Sequence, residues 1–161
     1  MKVLLVYPPA RDASKPPIGI SCVGSFLRQK GHQVEVLDLT VEPLTNEELQ
    51  NKIATFSLYD CVGISAIITA YNFVKDFSRM VREKHSDLPI IVGNAISVSC
   101  PETLLKNSEV DVIVLDEGEL TIAELVENIK DRDNYKNING ICYKDQEGNI
   151  QLIDINGSPE R

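Results

Sequence analysis

Short apolar runs that stop abruptly, each followed by a stretch with helical spacing, recur along this chain and limit what it can fold into. Lys2-Val3-Leu4-Leu5-Val6-Tyr7 is almost unbroken in its apolar character and is ended by Pro8-Pro9. Such a run suits a strand covered on both faces, and two prolines cannot extend it. From Ile18 to Lys30, Ile20, Val23, Phe26 and Leu27 share a helical period, and Gly31 stands where helices commonly end. The unit repeats with a strand at Val34 to Leu39 and a helix from Asn46 to Phe56, whose first turn carries Glu47 and Glu48. A third strand, Cys61 to Ser65, precedes a helix from Ala70 to Lys84 with Phe73, Val74, Phe77 and Val81 on one stripe. Pro89 to Gly93 and Asp111 to Leu115 read as the fourth and fifth strands, and Glu119 to Ile129 as a closing helix.

Strands joined by crossover helices run parallel, and right-handed crossovers put helices on both faces. The pattern predicts a doubly wound, five-stranded parallel α/β sheet of flavodoxin-like order 2-1-3-4-5. The end of the chain departs from it: Gly140 to Lys144, the turn Asp145-Gln146-Glu147-Gly148 and Ile150 to Ile153 predict a C-terminal β-hairpin. After Asp154 the residues turn polar, Asn156-Gly157-Ser158-Pro159-Glu160-Arg161, as at the entrance of a linker. The expected division is a Rossmann-like domain over 1-134 and a hairpin with linker over 135-161.

A chain of 161 residues fits one compact core. Its formal charge of −8 disfavours nucleic acid and anionic lipid, whose binding needs clustered Lys and Arg. No apolar run is long enough to span a bilayer and no charged start leads into an apolar signal segment, so a soluble, cytoplasmic protein is expected. Cys22, Cys61, Cys100 and Cys142 form no C-x-x-C pair and no C-x-x-x-C-x-x-C cluster, and predict reduced, mostly buried thiols.

In an open parallel sheet the ligand crevice lies beyond the carboxyl ends of the strands. There the loops carry small residues, Gly19, Ser65, Ala66, Gly93, Asn94, Ala95, Ser97 and Gly118, which let a bulky ligand approach backbone. A phosphoacceptor site would need acidic residues after the first strand, where Tyr7-Pro8-Pro9 stands, and an Asp where Ser65 ends the third. Gly19 and Gly24 lack the spacing of a dinucleotide fingerprint. His32 opens the second strand, away from the crevice, and His85 closes a helix, so neither offers a base to a nucleophile. Bland roles stand beside the functional ones. Ser65, Thr69 and Glu117-Gly118-Glu119 suit helix caps and first-turn acids, Ile67-Ile68 suits the core, and Tyr59 and Tyr71 suit packing.

Taken in order, Val3 to Pro9, Pro16-Pro17-Ile18-Gly19-Ile20, Lys30-Gly31-His32-Gln33-Val34-Glu35-Val36-Leu37-Asp38, Val62-Gly63-Ile64-Ser65, Pro89-Ile90-Ile91-Val92-Gly93 and Glu117-Gly118-Glu119-Leu120-Thr121 resemble the B12-binding domain of cobalamin-dependent radical SAM enzymes. The resemblance covers nearly the whole chain. It implies a corrin over the carboxyl edge of the sheet, a nucleotide tail in a cleft beside the first strand, and cofactor contacts from Pro8, Pro9, Gly19, Ser65, Ala66, Ile67, Thr69, Gly93, Asn94, Ala95, Glu117 and Gly118. Ser65-Ala66-Ile67 matches the S-x-[LI] pattern in which the Ser can hydrogen-bond the buried base. Asn94 departs from the usual Gly-Gly pair, and Asp116 replaces the first Gly of a G-E-G-E run. Asp12-Ala13-Ser14 lacks the D-x-H-x-x-G histidine that ligates cobalt in corrinoid mutases, which implies base-off cobalamin without protein imidazole.

The implied function is a cofactor domain with no catalytic residues of its own, serving methyl transfer or ring-forming chemistry in a radical SAM barrel of a longer polypeptide. The iron-sulfur cluster and S-adenosylmethionine would belong to that barrel. Two alternatives share the sheet: the N-terminal half of a nucleotide-sugar glycosyltransferase, and an interaction module without a ligand.

Overall fold

A computed structural model describes residues 1–10, 16–115 and 118–154. Seven strands form one sheet in the order β2-β1-β3-β4-β5-β6-β7. The first five, β1 (Lys2–Tyr7), β2 (Gln33–Asp38), β3 (Cys61–Ser65), β4 (Ile90–Gly93) and β5 (Val112–Val114), pair in parallel in the predicted order. β1, β3, β4 and β5 are buried along nearly their whole length, whereas the edge strand β2 buries only Val34 and Leu37. That contrast follows from position, because a central parallel strand is covered on both faces.

The hairpin β6 (Ile141–Lys144) and β7 (Ile150–Ile153) is where expected, but it extends the sheet instead of standing apart. β6 runs antiparallel to β5, with Ile113 opposite Cys142, so the sheet has seven strands and not five. The turn is held by the Asp145 carboxylate, which accepts the N–H groups of Glu147 and Asn149 at 2.9 and 2.8 Å. Gly148 supplies the positive φ of 85° that closes it. The polar tail from Asn156 onward lies outside the described residues.

Helices α1 (Ile18–Gln29), α2 (Asn46–Ala54) and α3 (Tyr71–Lys84) occupy the predicted segments, with 3-10 turns at Phe56–Leu58 and Ile68–Ala70 trimming the ends of the expected ranges. Thr45 and Glu48 close a capping box at the start of α2. Two helices were not anticipated, α4 (Ala95–Ser99) and α5 (Pro101–Asn107), in a stretch read partly as loop. α4 is too short to show a period, and its serines and valine are weak helix formers. α5 starts on Pro101 and buries Leu104 and Leu105. α6 (Glu119–Glu127) closes the parallel part, and a 3-10 segment, Arg132–Asn137, leads into the hairpin.

Alternate strand residues feed two cores. Leu4, Val6, Val62, Ile64, Ile90 and Val92 meet α2, the 3-10 turn after it, α3, α4 and α5 through Leu49, Phe56, Phe77, Ile96 and Leu104. Val3, Leu5, Cys61, Ile91, Val112 and Val114 meet α1 and α6 through Ile20, Leu27, Ile122 and Leu125. The expectation of mostly buried thiols is corrected: Cys61 and Cys142 are buried, but Cys22 is exposed and Cys100 half-buried. Burial pushes the Cys61 and Cys142 thiols up to about 12 and about 11.

Asp111 clamps the amino ends of β4 and β5. Its carboxylate accepts the Ile90 N–H at 2.9 Å and ion-pairs with Arg82 and Arg132 at 2.6 Å each. Arg82 also donates to the carbonyls of Ser86, Leu88 and Glu109. Asp111→Ala leaves the mostly buried Arg82 without its carboxylate and should lower the unfolding free energy by about 3 kcal/mol in urea titrations. Arg132→Ala, at an exposed partner, should cost less than about 1 kcal/mol in the same measurement.

Candidate ligand cleft at the carboxyl edge

β1 sends its chain to α1 on one face and β3 sends its chain to α3 on the other, so the sheet's topological switch lies between these two strands. On the α1/α6 face a cleft of about 550 Å³ opens toward the carboxyl edge. That is within the usual range of small-molecule sites, about 300–1,000 Å³. Its floor is made of Leu5, Gly63, Ser65, Ile91, Gly93 and Val114, and its walls of Ile18, Gly19, Cys22 and Val23 from α1 and Gly118, Glu119 and Ile122 beside or within α6. No Lys or Arg lines it among the described residues.

The depth of the cleft comes from missing side chains. Gly63 is paired in register with Leu5 and Ile91, and Ser65 with Gly93, so two of the central floor positions carry no Cβ. A Cβ on Gly63 would lie 2.9 Å from Leu5 Cδ2, whereas one on Gly93 would find only the Val114 carbonyl oxygen, at 3.9 Å. Gly63 therefore gives room to a neighbour, and Gly93 keeps open space over the floor.

Asn94 sits where the floor meets the edge, with φ 75° and ψ −170°. This region is nearly reserved for glycine, and another residue held there costs on the order of 1–3 kcal/mol. Both ends of its side chain are held: Oδ1 accepts the Ala95 N–H at 2.7 Å and Nδ2 donates to Ser65 Oγ at 3.1 Å. The amide thus ties the tips of β3 and β4 together and caps α4.

The structure gathers Gly19, Ser65, Gly93, Asn94 and Gly118 of the predicted contacts around this cleft. Pro9, Ile67, Thr69 and Ala95 lie exposed along the same carboxyl edge outside it, and Pro8 is buried at the end of β1. Ala66 points away, buried against the opposite core, with its backbone bonded to Gly93 and Ile96. Glu117, like Asp116 and Asp12-Ala13-Ser14, falls outside the described residues.

Several bland readings are corrected. Ile67 and Ile68 are not core residues but are 49% and 50% exposed. Neither Ser65 nor Thr69 caps a helix, since Ser65 ends β3 and the start of α3 has no side-chain cap. Tyr59 and Tyr71 do pack against the core. Leu5, Gly63, Ile91, Val114, Cys22, Val23 and Ile122 were missed as cleft residues. Period-2 reading of β3 would have placed Cys61, Gly63 and Ser65 on one face, but pairing them with Leu5 and Ile91 requires the register.

A second hollow of about 840 Å³ lies at the amino end of the strands, lined by the Arg82–Asp111 clamp, His85 and Lys130 among others. It is larger but at the structural end of the sheet, and Arg82, Arg132, Lys130, Asp60 and Asp111 in its lining pair with one another. His85 bonds the Ile53 carbonyl at 2.7 Å and stacks on Phe56, a packing role. His32 lies beside the N-terminus, its Nδ1 3.4 Å from the amino group, and burial and that charge lower its pKa. No group of three His, Cys, Asp or Glu able to hold a metal occurs among the described residues, and no described helix is long and apolar enough to cross a membrane.

Known proteins share these features. The chain is 30% identical over 153 residues to an uncharacterized methyltransferase of Pyrococcus horikoshii, covering 90% of this chain and 33% of that protein. It is 26% identical to the anaerobic magnesium-protoporphyrin IX monomethyl ester cyclase of Synechocystis, covering 95% of this chain and 32% of the relative. It therefore spans about a third of the length of these curated relatives. The radical S-adenosylmethionine methyltransferase TsrM of Kitasatospora setae, solved with cobalamin and an iron-sulfur cluster bound, has the same fold with a TM-score of 0.81 at 20% identity, over 98% of this chain and 31% of that one. The cobalamin-dependent radical enzyme OxsB has it with a TM-score of 0.79 at 23% identity, over 95% of this chain and 22% of that one. The B12 binding domain family matches residues 12–126, and the chain, with its ligand cleft at the switch point of a doubly wound sheet, belongs to that family.

Proposed function

We propose that this chain holds cobalamin at the carboxyl edge of its sheet and presents it to a radical SAM barrel in a longer polypeptide. The observation that carries this is the trench over Gly63 and Gly93, open toward the edge and walled by α1 and α6. A nucleotide tail lying in that trench would put the corrin over the exposed Ile67, Ile68 and Ala95 region. Family membership supports the ligand class. The mostly apolar lining, without Lys or Arg among the described residues, argues against the diphosphate of a nucleotide sugar.

Cobalamin supplies a cobalt–carbon bond for methyl transfer or a related radical reaction, and the substrate would be chosen by the barrel, which would also hold the iron-sulfur cluster and S-adenosylmethionine. This chain's residues position and shelter the cofactor. Ser65 and Asn94 offer polar contacts at the trench, and Ile67 and Ile68 offer hydrocarbon beside it. Neither of the two histidines lies at the carboxyl edge: His32 precedes β2 and His85 follows α3, both at the amino end. No imidazole of this chain would then be available to the metal, and a nucleotide tail lying in the trench would carry its own base away from it, leaving the cofactor base-off.

Incubation with hydroxocobalamin, desalting and a visible spectrum test the proposal: corrin absorbance should travel with the protein, and a colourless protein would refute it. Gly93→Val should abolish most of that retention by filling the trench, while the unfolding free energy moves by about 1 kcal/mol or less, since valine suits a strand and its Cβ would meet only the Val114 carbonyl oxygen at 3.9 Å. Cys22, exposed on the cleft wall, should be alkylated by iodoacetamide at pH 8 well before Cys61 or Cys142, and bound cobalamin should slow Cys22 selectively in peptide mass spectra. Electron paramagnetic resonance of the cob(II)alamin complex should lack the nitrogen splitting of a coordinated imidazole or benzimidazole.

A further inference from the structure

The chain leaving β1 has few groups by which it can be held. Pro8 and Pro9 carry no N–H, so the first backbone donor after Tyr7 is Ala10. Contacts on the side of β2 nevertheless continue past the strand. Tyr7 pairs with Asp38, the Leu39 N–H donates to the Tyr7 carbonyl at 3.0 Å, and the Ala10 N–H donates to Thr40 Oγ1 at 3.0 Å. Thr40 Oγ1 in turn donates to the Pro8 carbonyl at 3.1 Å. An amide can only donate and a carbonyl only accept, so both bonds have a fixed direction and the hydroxyl's one proton goes to Pro8. Thr40 is itself anchored, because the Asp38 carboxylate accepts its N–H at 2.9 Å and that of Val41 at 3.4 Å. On the side of β3 the pairing stops earlier. Val6 and Ile64 are the last partners in register, and β3 then turns its bonds to β4: Ser65 pairs with Gly93, and the Ala66 N–H donates to the Gly93 carbonyl at 3.1 Å. The tips of β1 and β3 are thus drawn apart, one toward β2 and the other toward β4, where the cleft opens.

We infer that Thr40 is a positioning residue for the ligand: its hydroxyl ties the exit of β1 to the end of β2 and so holds the entrance between β1 and β3 open before the ligand arrives. This rests on the assignment of the cleft to cobalamin. Thr40 acts through Pro8, Pro9 and Ala10, since its hydroxyl proton is already committed to the Pro8 carbonyl and its oxygen to the Ala10 N–H. Without the hydroxyl, those two backbone groups turn to water and the segment is free to lean back over the entrance. Binding must then reorder it, and ordering a segment on binding costs affinity.

Thr40→Val keeps the shape of the side chain and removes both bonds, whereas Thr40→Ser keeps the hydroxyl. Wild type and both variants are compared by absorbance titration with cobalamin, by hydrogen exchange of the Ala10 amide in the free protein, and by urea unfolding. Thr40→Val should speed exchange at Ala10 and weaken cobalamin about five- to tenfold, the scale of one or two lost hydrogen bonds. Thr40→Ser should restore the affinity to within about twofold of wild type. A Thr40 that serves only the fold would shift the urea midpoint and the Ala10 exchange and leave cobalamin affinity unchanged, and that result overturns the inference while the cobalamin assignment stands. Loss of affinity in Thr40→Ser equal to that in Thr40→Val overturns it too, because the hydroxyl would then not be the cause. Should Thr40→Val not fold, Thr40→Ala, smaller and equally without a hydroxyl, makes the same comparison. A folded wild-type chain that binds no cobalamin overturns both readings.

Discussion

Between β1 and β3 the chain leaves the sheet toward opposite faces, and the cleft at the carboxyl edge depends on that divergence. Right-handed crossovers oblige α1 to cover one face and α2 and α3 the other. The connections from the two strands therefore part at their carboxyl tips. On the α1/α6 face the gap between helices extends this opening downward, and the strand beneath has no side chain at Gly93 to refill it. The cleft is thus a product of topology and of the absent side chain at Gly93 together.

The two ends of the sheet are built differently. At the amino end Asp111, Arg82 and Arg132 form a dense polar clamp with backbone partners, which ties β4 and β5 to the end of α3 and to the segment before the hairpin. At the carboxyl end apolar side chains remain exposed, Ile18, Ile67, Ile68, Val98 and Leu120. A single exposed apolar residue needs no explanation, but several at one edge beside a cleft suit a surface that a ligand or partner covers. Backbone strain is found at this end too, at Asn94, in keeping with the tendency of folds to concentrate unfavourable conformations where a ligand binds.

Much of the architecture was legible because it obeys short-range rules. The unbroken apolar runs at Lys2–Tyr7 and Cys61–Ser65 mark strands whose ends are those found, since a parallel strand buried on both faces leaves a continuous signature. Helices as long as α1 and α3 show their period; α4 and α5 do not, because five and seven residues are too few to establish one. The core alternative for Ile67 and Ile68 fails for a different reason. Apolar character reports a preference for burial, but whether a loop residue is covered depends on what packs above it, and among the described residues nothing covers these two.

The sequence alone determined the order of strands and helices, the parallel sense of the first five strands, the closing hairpin and the placement of small residues at the strand tips, since each is written in periodicity or in the conformational limits of Gly and Pro. Only the tertiary structure decided that Gly63 and Gly93 share a floor with Leu5 and Ile91, that Cys22 and Ile122 face each other's side of the same cleft, that the hairpin continues the sheet, and that the Asn94 amide donates to Ser65. Those facts depend on register and on helix placement between residues far apart in the chain, and no local pattern encodes a distance between them.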